Sequence, residues 1–246
     1  MARDYATEAV VMGSHKLGDA DRVVSLFTEA SGRVPTVVKG VRKVGSRFGG
    51  RLEPMTILSV RLHEGRNLYT LTAADTISTN ASIRDDPFSL RAGLSFIELL
   101  SRSTTEFERR PRTWNMVRRC LPALDRAARR SDSDAVRSIV LGGQLKLLLL
   151  AGFLPHLQSC AACGADGSVL TRFSAASGGA ICPDCPGESF SISPPALQAM
   201  RFLLEHPLAS ASELSLSPDQ AREIWRSVRE ICRHHLGANL RVEPWI

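Results

Sequence analysis

The sequence lacks the common signatures of turnover. It has no G-x-x-x-x-G-K-[ST] stretch, and no G-x-G-x-x-G follows a strand-like run, so neither a P-loop nor a dinucleotide cradle is supported. G-x-S-x-G, H-E-x-x-H and H-x-E are also missing, which removes hydrolase, zinc-protease and deaminase patterns. Adjacent carboxylates occur only at Asp85-Asp86, where they read as a helix cap. No apolar run is long enough for a membrane span. The nearest, Ile139–Leu157, is interrupted by Gln144, Lys146 and three glycines and reads as a buried helix. The opening M-A-R-D-Y shows no apolar leader, so a cytoplasmic, nucleoid-associated location is expected. There is no internal repeat and no low-complexity tract. From Arg33 to Arg51 acidic residues are absent while six basic ones are present: Arg33, Lys39, Arg42, Lys43, Arg47 and Arg51.

Against these absences one pattern stands out. Cys160-x2-Cys163 and Cys182-x2-Cys185 have the spacing of a four-thiolate zinc site, with glycines beside each pair to ease the turns. Four sulfurs around one ion leave no open position for a reacting water, so the expected ion is structural Zn2+. Two disulfides or a redox pair suit the short Gly-rich separation less well, and iron remains a second candidate for four sulfurs. Cys120 and Cys232 stand alone in helical patterns and read as small buried hydrophobes.

The chain of 246 residues carries a net charge of +6, and the excess matters for partners because it is concentrated in one stretch. Residues 1–80 have a period-two texture, with strands expected at Tyr5–Met12, Arg22–Thr28, Arg33–Lys39, Met55–His63 and Asn67–Ala74, the last extendable to Thr79. Five short strands without a crossover helix imply a small closed barrel, of the oligonucleotide-binding or the SH3-like kind. Beyond Thr79–Asp86 the pattern turns helical. Phe88–Arg102 follows an Asp-Pro start. A helix opening at Pro111 should break or kink at Pro122, and a long apolar helix runs from Ala135 to about Leu154. Further helices begin at Ser193-Pro194-Pro195 and run over Ala221–Leu236, and Ser210-x-x-Glu213 and Ser217-x-x-Gln220 have capping-box form. The expected fold class is α+β: a five-stranded barrel over 1–80, then a helical domain over 81–246 with a zinc-binding segment inserted at about 156–190.

The basic stretch between the third and fourth strands is the expected DNA-binding site, with Arg33, Lys39, Arg42, Lys43, Arg47 and Arg51 facing phosphates. Phe48 in its midst either stacks on a base or folds into the core. A second basic set, Arg109, Arg110, Arg112, Arg118, Arg119, Arg126, Arg129 and Arg130, reads as a solvated face, a continuation of a phosphate track, or a receptor for an acidic peptide. His234-His235 closes a helix and suits its dipole.

Several runs together resemble the RecO family of bacterial recombination mediators. They are V-V-M-x-x-x-x-L-G-x-x-D-R-V-V-S-L-F-T (Val10–Thr28), G-R-V-P-T-V-V-K-G-V-R-K (Gly32–Lys43), S-R-F (Ser46–Phe48) and L-x-P-M (Leu52–Met55), joined by the paired C-x-x-C. Val44-Gly45 stand where members often carry proline or lysine. The resemblance implies an oligonucleotide-binding barrel, a helical domain and a zinc segment, without enzymatic turnover. It implies binding to single- and double-stranded DNA, annealing of complementary strands, and work with RecR. It also implies contact with the single-strand binding protein and help in loading RecA during recombinational repair. Lys39, Arg42, Lys43 and Arg47 correspond to the family's basic loop, and Cys160, Cys163, Cys182 and Cys185 to its metal ligands. Two other classes stay open on the residues alone: a protein–protein adaptor with secondary DNA contact, and a metal-dependent nucleic-acid enzyme.

Overall fold

The computed structural model describes residues 4–43, 46, 48–65, 68–167 and 169–245. Five strands form a closed barrel: β1 (Asp4–Leu17), β2 (Asp21–Thr28), β3 (Gly32–Val38), β4 (Ile57–His63) and β5 (Tyr69–Ser78), in the order β1-β2-β3-β5-β4. The first strand serves two neighbours. Asp4–Val10 pairs with β4, Ala9–Leu17 pairs with β2, and a bulge between Val11 and Gly13 re-aims the strand between them. Parallel pairing of Thr36 with Tyr69 and Val37 with Thr70 closes the cylinder. This is the oligonucleotide-binding arrangement.

Alternation fills the barrel. Ala9, Val11, Val24, Leu26, Val38, Leu58, Val60, Leu62 and Leu71 point inward and are buried. Their neighbours Val10, Met12, Phe27 and Ile57 are also buried, because that wall of the barrel lies on the helices. Phe27 meets Trp114 with ring centroids 6.3 Å apart. Burial on both faces explains why V-V-M and S-L-F read as continuous apolar runs.

The strand ranges differ from expectation mainly in β1, which continues through Ser14-His15-Lys16-Leu17. Those residues are exposed because β1 has there run past its pairing with β4 and keeps only β2, itself still paired with β3, as a neighbour. Asn67, expected to open the fifth strand, lies outside the described residues.

The helical part begins with a short α1 (Ala81–Asp85), inside the expected boundary Thr79–Asp86. Then come α2 (Pro87–Arg102), α3 (Pro111–Arg129), α4 (Ser133–Leu150), α5 (Pro194–Glu205) and α6 (Pro218–His235). Asp86, Asp132 and Ser193 cap α2, α4 and α5 through their side chains, and Ser217 with Gln220 completes a capping box at α6. Two expectations fail, and of the break or kink expected at Pro122 the break does not occur. The helix α3 continues through Pro122; the carbonyl that loses its partner belongs to exposed Arg118. The helix α4 stops at Leu150, because Gly152 takes a left-handed φ of 92°. Ser210-x-x-Glu213 forms no capping box and lies within a 3-10 helix, Leu208–Glu213. Between α4 and α5 a small sheet carries the cysteine segment: β6 (Arg172–Ser174), flanked by β7 (Gly179–Ile181) and β8 (Phe190–Ser191).

Barrel and helices are joined at a tight seam. Residues 106–107 lie beside the start of β3: Arg33 bridges Glu106 in parallel, and the Phe107 amide donates to the Arg33 carbonyl at 2.9 Å. Gly32 sits under this segment with φ of 67°, and a Cβ there would stand 1.9 Å from the Glu108 carbonyl oxygen. Gly32→Ala combines a left-handed backbone with a main-chain clash. It should cost at least about 2 kcal/mol, read as a shifted denaturant midpoint.

Candidate nucleic-acid interface and metal centre

The described start of the basic stretch, residues 39–43, turns at the end of β3 and is held there by hydrogen bonds. The Gly40 amide donates to the Asp21 carboxylate at 2.7 Å, with Gly40 at a φ of 64°. Arg42 ties the loop to the turn between β1 and β2: its amide donates to the Ala20 carbonyl at 3.0 Å, and its guanidinium to the Gly18 and Asp19 carbonyls at 3.3 and 2.9 Å. Lys39, Arg42 and Lys43 are exposed, and among the described residues no carboxylate lies within ion-pair distance of them. Arg51 is exposed on the 3-10 turn Gly49–Leu52 and donates to the Ala74 carbonyl at 3.3 Å. Arg47 lies outside the described residues.

Two expected members take other roles. Arg33 turns toward the helices, donates to the Ser101 carbonyl and hydroxyl at 3.3 Å each, and pairs with Glu106 at 3.7 Å. Its guanidinium belongs to the seam, away from the cationic loop. Phe48 is 4% exposed and packs with the barrel interior, so the stacking alternative is excluded by burial. Its ring plugs the mouth beneath the cations.

The second basic set divides. Arg110 pairs with Glu108 at 2.8 Å, Arg118 with Glu8 at 3.3 Å and Arg129 with Asp125 at 2.9 Å. Arg112, Arg119 and Arg126, with Arg118 beside them, line a groove of about 720 Å3 between α3, α4 and the 3-10 helix, together with Met116, Pro122, Ala123, Leu149, Leu150 and Leu208. Lys146 enters the same groove and donates to the Leu204 carbonyl at 3.2 Å, with burial lowering its pKa. The His235 ring stacks on Phe153 at 5.3 Å.

Cys160, Cys163, Cys182 and Cys185 meet at the small sheet, with all four sulfurs within 4.8 Å of one another. The Cys160–Cys185, Cys163–Cys182 and Cys182–Cys185 sulfurs stand 3.6, 4.0 and 3.4 Å apart. Four sulfurs bonded tetrahedrally at about 2.3 Å to one centre lie about 3.8 Å apart, so the cluster fits a metal ion and is too open for a disulfide. Backbone amides of Cys163, Cys182 and Ala162 directed at Cys160 pull its thiol down to about 6, toward the thiolate that a metal requires. Hydrogen bonding with the Cys182, Cys160 and Cys163 sulfurs pushes the Cys185 thiol up. A cation would relieve this crowding of negative sulfur. By contrast, burial pushes Cys120 and Cys232 up to about 12, as inert thiols.

Two supports of this centre leave no local mark in the sequence. Arg172, first residue of β6, donates to the carbonyls of Pro183, Cys185 and Gly187 at 3.2, 2.8 and 3.2 Å and so braces the second C-x-x-C turn. Gly179 lets β7 approach His156, whose carbonyl oxygen would stand 2.0 Å from any Cβ. Asp21, at the D-R-V-V opening of β2, is a further support that the sequence analysis missed: its carboxylate anchors the Gly40 amide.

With the geometry in place, the comparisons are direct. The family model for the recombination protein O N terminus matches residues 1–80, and that for its C terminus matches residues 84–244. The chain belongs to the RecO family. The DNA repair protein RecO of Rubrobacter xylanophilus is 32% identical over 243 residues, covering 96% of this chain and 92% of the relative. That of Roseiflexus sp. is 34% identical over 243 residues, covering 97% and 83%. That of Frankia casuarinae is 34% identical over 245 residues, covering 98% of both chains. This RecO-family chain is thus a DNA repair protein, with an OB-like barrel and a cysteine cluster that could hold one metal ion.

Metal content tests the cluster. Elemental analysis of freshly purified protein should find about one bound ion per chain. Cys182→Ser should lose the ion and lower the melting temperature, whereas Cys232→Ser should retain it.

Proposed function

We propose that this chain is a non-enzymatic recombination mediator. It binds single- and double-stranded DNA through the barrel mouth and anneals complementary strands. With RecR it helps RecA replace the single-strand binding protein during repair. The barrel, residues 1–80, is the DNA-binding unit; residues 81–246 form the partner-binding unit, with the metal segment at about 156–190. The observation that carries the reading is the cationic loop of Lys39, Arg42 and Lys43, fastened to the β1–β2 turn, with no carboxylate in ion-pair distance of these three among the described residues. Fixed cations release counterions from phosphate backbones without reading sequence. Two complementary strands repel each other; a shared cationic surface offsets that repulsion and leaves base edges free to pair. Arg47 and Arg51 extend the same surface in this reading, and Arg33 does not.

The ion is structural Zn2+, held by Cys160, Cys163, Cys182 and Cys185. When bound it ties the segment between α4 and α5 into one unit. Four protein sulfurs leave it no vacant position for activating water, which favours the mediator over a metal-dependent nuclease.

The groove on the helical part supports the protein-partner side. An apolar lining together with Arg112, Arg119, Arg126 and Lys146 suits a segment bearing both acidic and apolar side chains, and in this reading that segment belongs to the single-strand binding protein.

Two measurements separate these surfaces. Lys39→Ala with Lys43→Ala should weaken duplex binding and flatten the log–log salt dependence by about 1.8, about 0.9 for each lost phosphate contact. Arg42 is left in place because it also holds the loop. Unchanged affinity in the folded variant would remove the DNA assignment. Arg119→Glu with Arg126→Glu should abolish capture of the single-strand binding protein while oligonucleotide binding persists.

A further inference from the structure

Beyond the loop, the ribbon made by the ends of β1 and β2 carries an unusual pair. Lys16 stands directly across from Arg22, and the neighbouring pair on the same face is Ser14 with Val24. Like charges placed opposite each other in an antiparallel pair oppose strand pairing. Among the described residues neither cation has a carboxylate partner; the Arg22 guanidinium reaches only the Ser14 hydroxyl, at 3.5 Å. Nothing in folding favours this arrangement.

The face these residues share decides what they are for. Arg22 also pairs with Val38, and both Val38 and Val24 belong to the barrel interior. Side chains alternate along a strand, so Lys16 and Arg22 continue the interior face past the rim, where it turns from apolar to cationic. That end of the barrel is the one plugged by Phe48, and the loop of Lys39, Arg42 and Lys43 is fastened to the ribbon's own turn. Asp21 lies one residue from Arg22, hence on the opposite face, and its carboxylate accepts from the Gly40 amide.

We infer that Lys16 and Arg22 are further DNA-binding residues, and that the β1–β2 ribbon is a second wall of the site. It adds contacts to the sugar–phosphate backbone beside those of the Lys39–Lys43 loop, which is fastened to the ribbon's turn. The inference rests on the DNA-binding reading above and adds residues to it. A polyanion bound there removes the repulsion that the empty ribbon carries.

The test uses the full chain, a labelled oligo(dT) and fluorescence anisotropy over a range of salt, with a melting curve for every variant. Lys16→Ala with Arg22→Ala should weaken binding and reduce the log–log slope by about 1.4, about 0.7 per contact on a single strand. Lys16→Glu, which places opposite charges across the ribbon, should raise the melting temperature and still weaken binding; a purely structural role predicts no such opposition. Lys16→Arg should bind as the parent does. If the double variant melts low, the two single variants decide, and equal affinity for Lys16→Glu and Lys16→Arg overturns the inference. Unchanged binding by the ribbon variant alongside weakened binding by Lys39→Ala/Lys43→Ala overturns the ribbon and leaves the loop standing. Unchanged binding by both variants would overturn the DNA-binding reading itself.

Discussion

The hydrogen bond from the Gly40 amide to the Asp21 carboxylate, 2.7 Å long, joins the end of β3 to the foot of the β1–β2 ribbon. With Arg42 reaching the carbonyls of the turn, it converts a glycine-rich stretch into a fixed loop. A backbone held in place loses less entropy on meeting a phosphate than a mobile one, so the anchoring of residues 40–43 bears on affinity. The Asp21 carboxylate keeps its charge but is engaged with the Gly40 amide, and among the described residues no carboxylate forms an ion pair with Lys39 or Lys43. Phe48 completes the arrangement from below by closing the mouth with a buried ring.

The barrel itself depends on being packed from outside. Strands buried on both faces lie against α2 and α3 through Phe27 and Trp114, and the segment before α3 covers the free edge at the start of β3. That contact leaves the opposite end exposed and directs the cations away from the helices. The metal segment is remote from this logic. It is a small sheet with knuckles braced by Arg172, and an ion bound by four thiolates would contribute folding energy there without joining the DNA site.

Much of this was legible in the sequence, for identifiable reasons. Paired C-x-x-C spacing survives any uncertainty about strands, because ligand geometry is local. The five strands showed through alternation, and the helix starts through Asp86, Ser193 and Ser217, whose caps depend on near neighbours only. Long-range partners were not legible. Arg33 looked like one more cation until the fold brought Glu106 and Ser101 to it. Pro122 argued for a break, yet tertiary packing carried α3 through it. The ribbon escaped notice because Ser14-His15-Lys16 has no apolar period, and the Lys16–Arg22 pair exists only as a matter of register. Arg172 reads as an ordinary strand residue until its three carbonyl partners are in place.

The most direct test of the central claim, that fixed cations at the barrel mouth hold phosphate backbones, is the salt dependence of unmodified protein binding to a single-stranded oligonucleotide. Three phosphate contacts from Lys39, Arg42 and Lys43 predict a log–log slope of about −2 or steeper. Binding that is independent of salt, or absent at low salt, would contradict it.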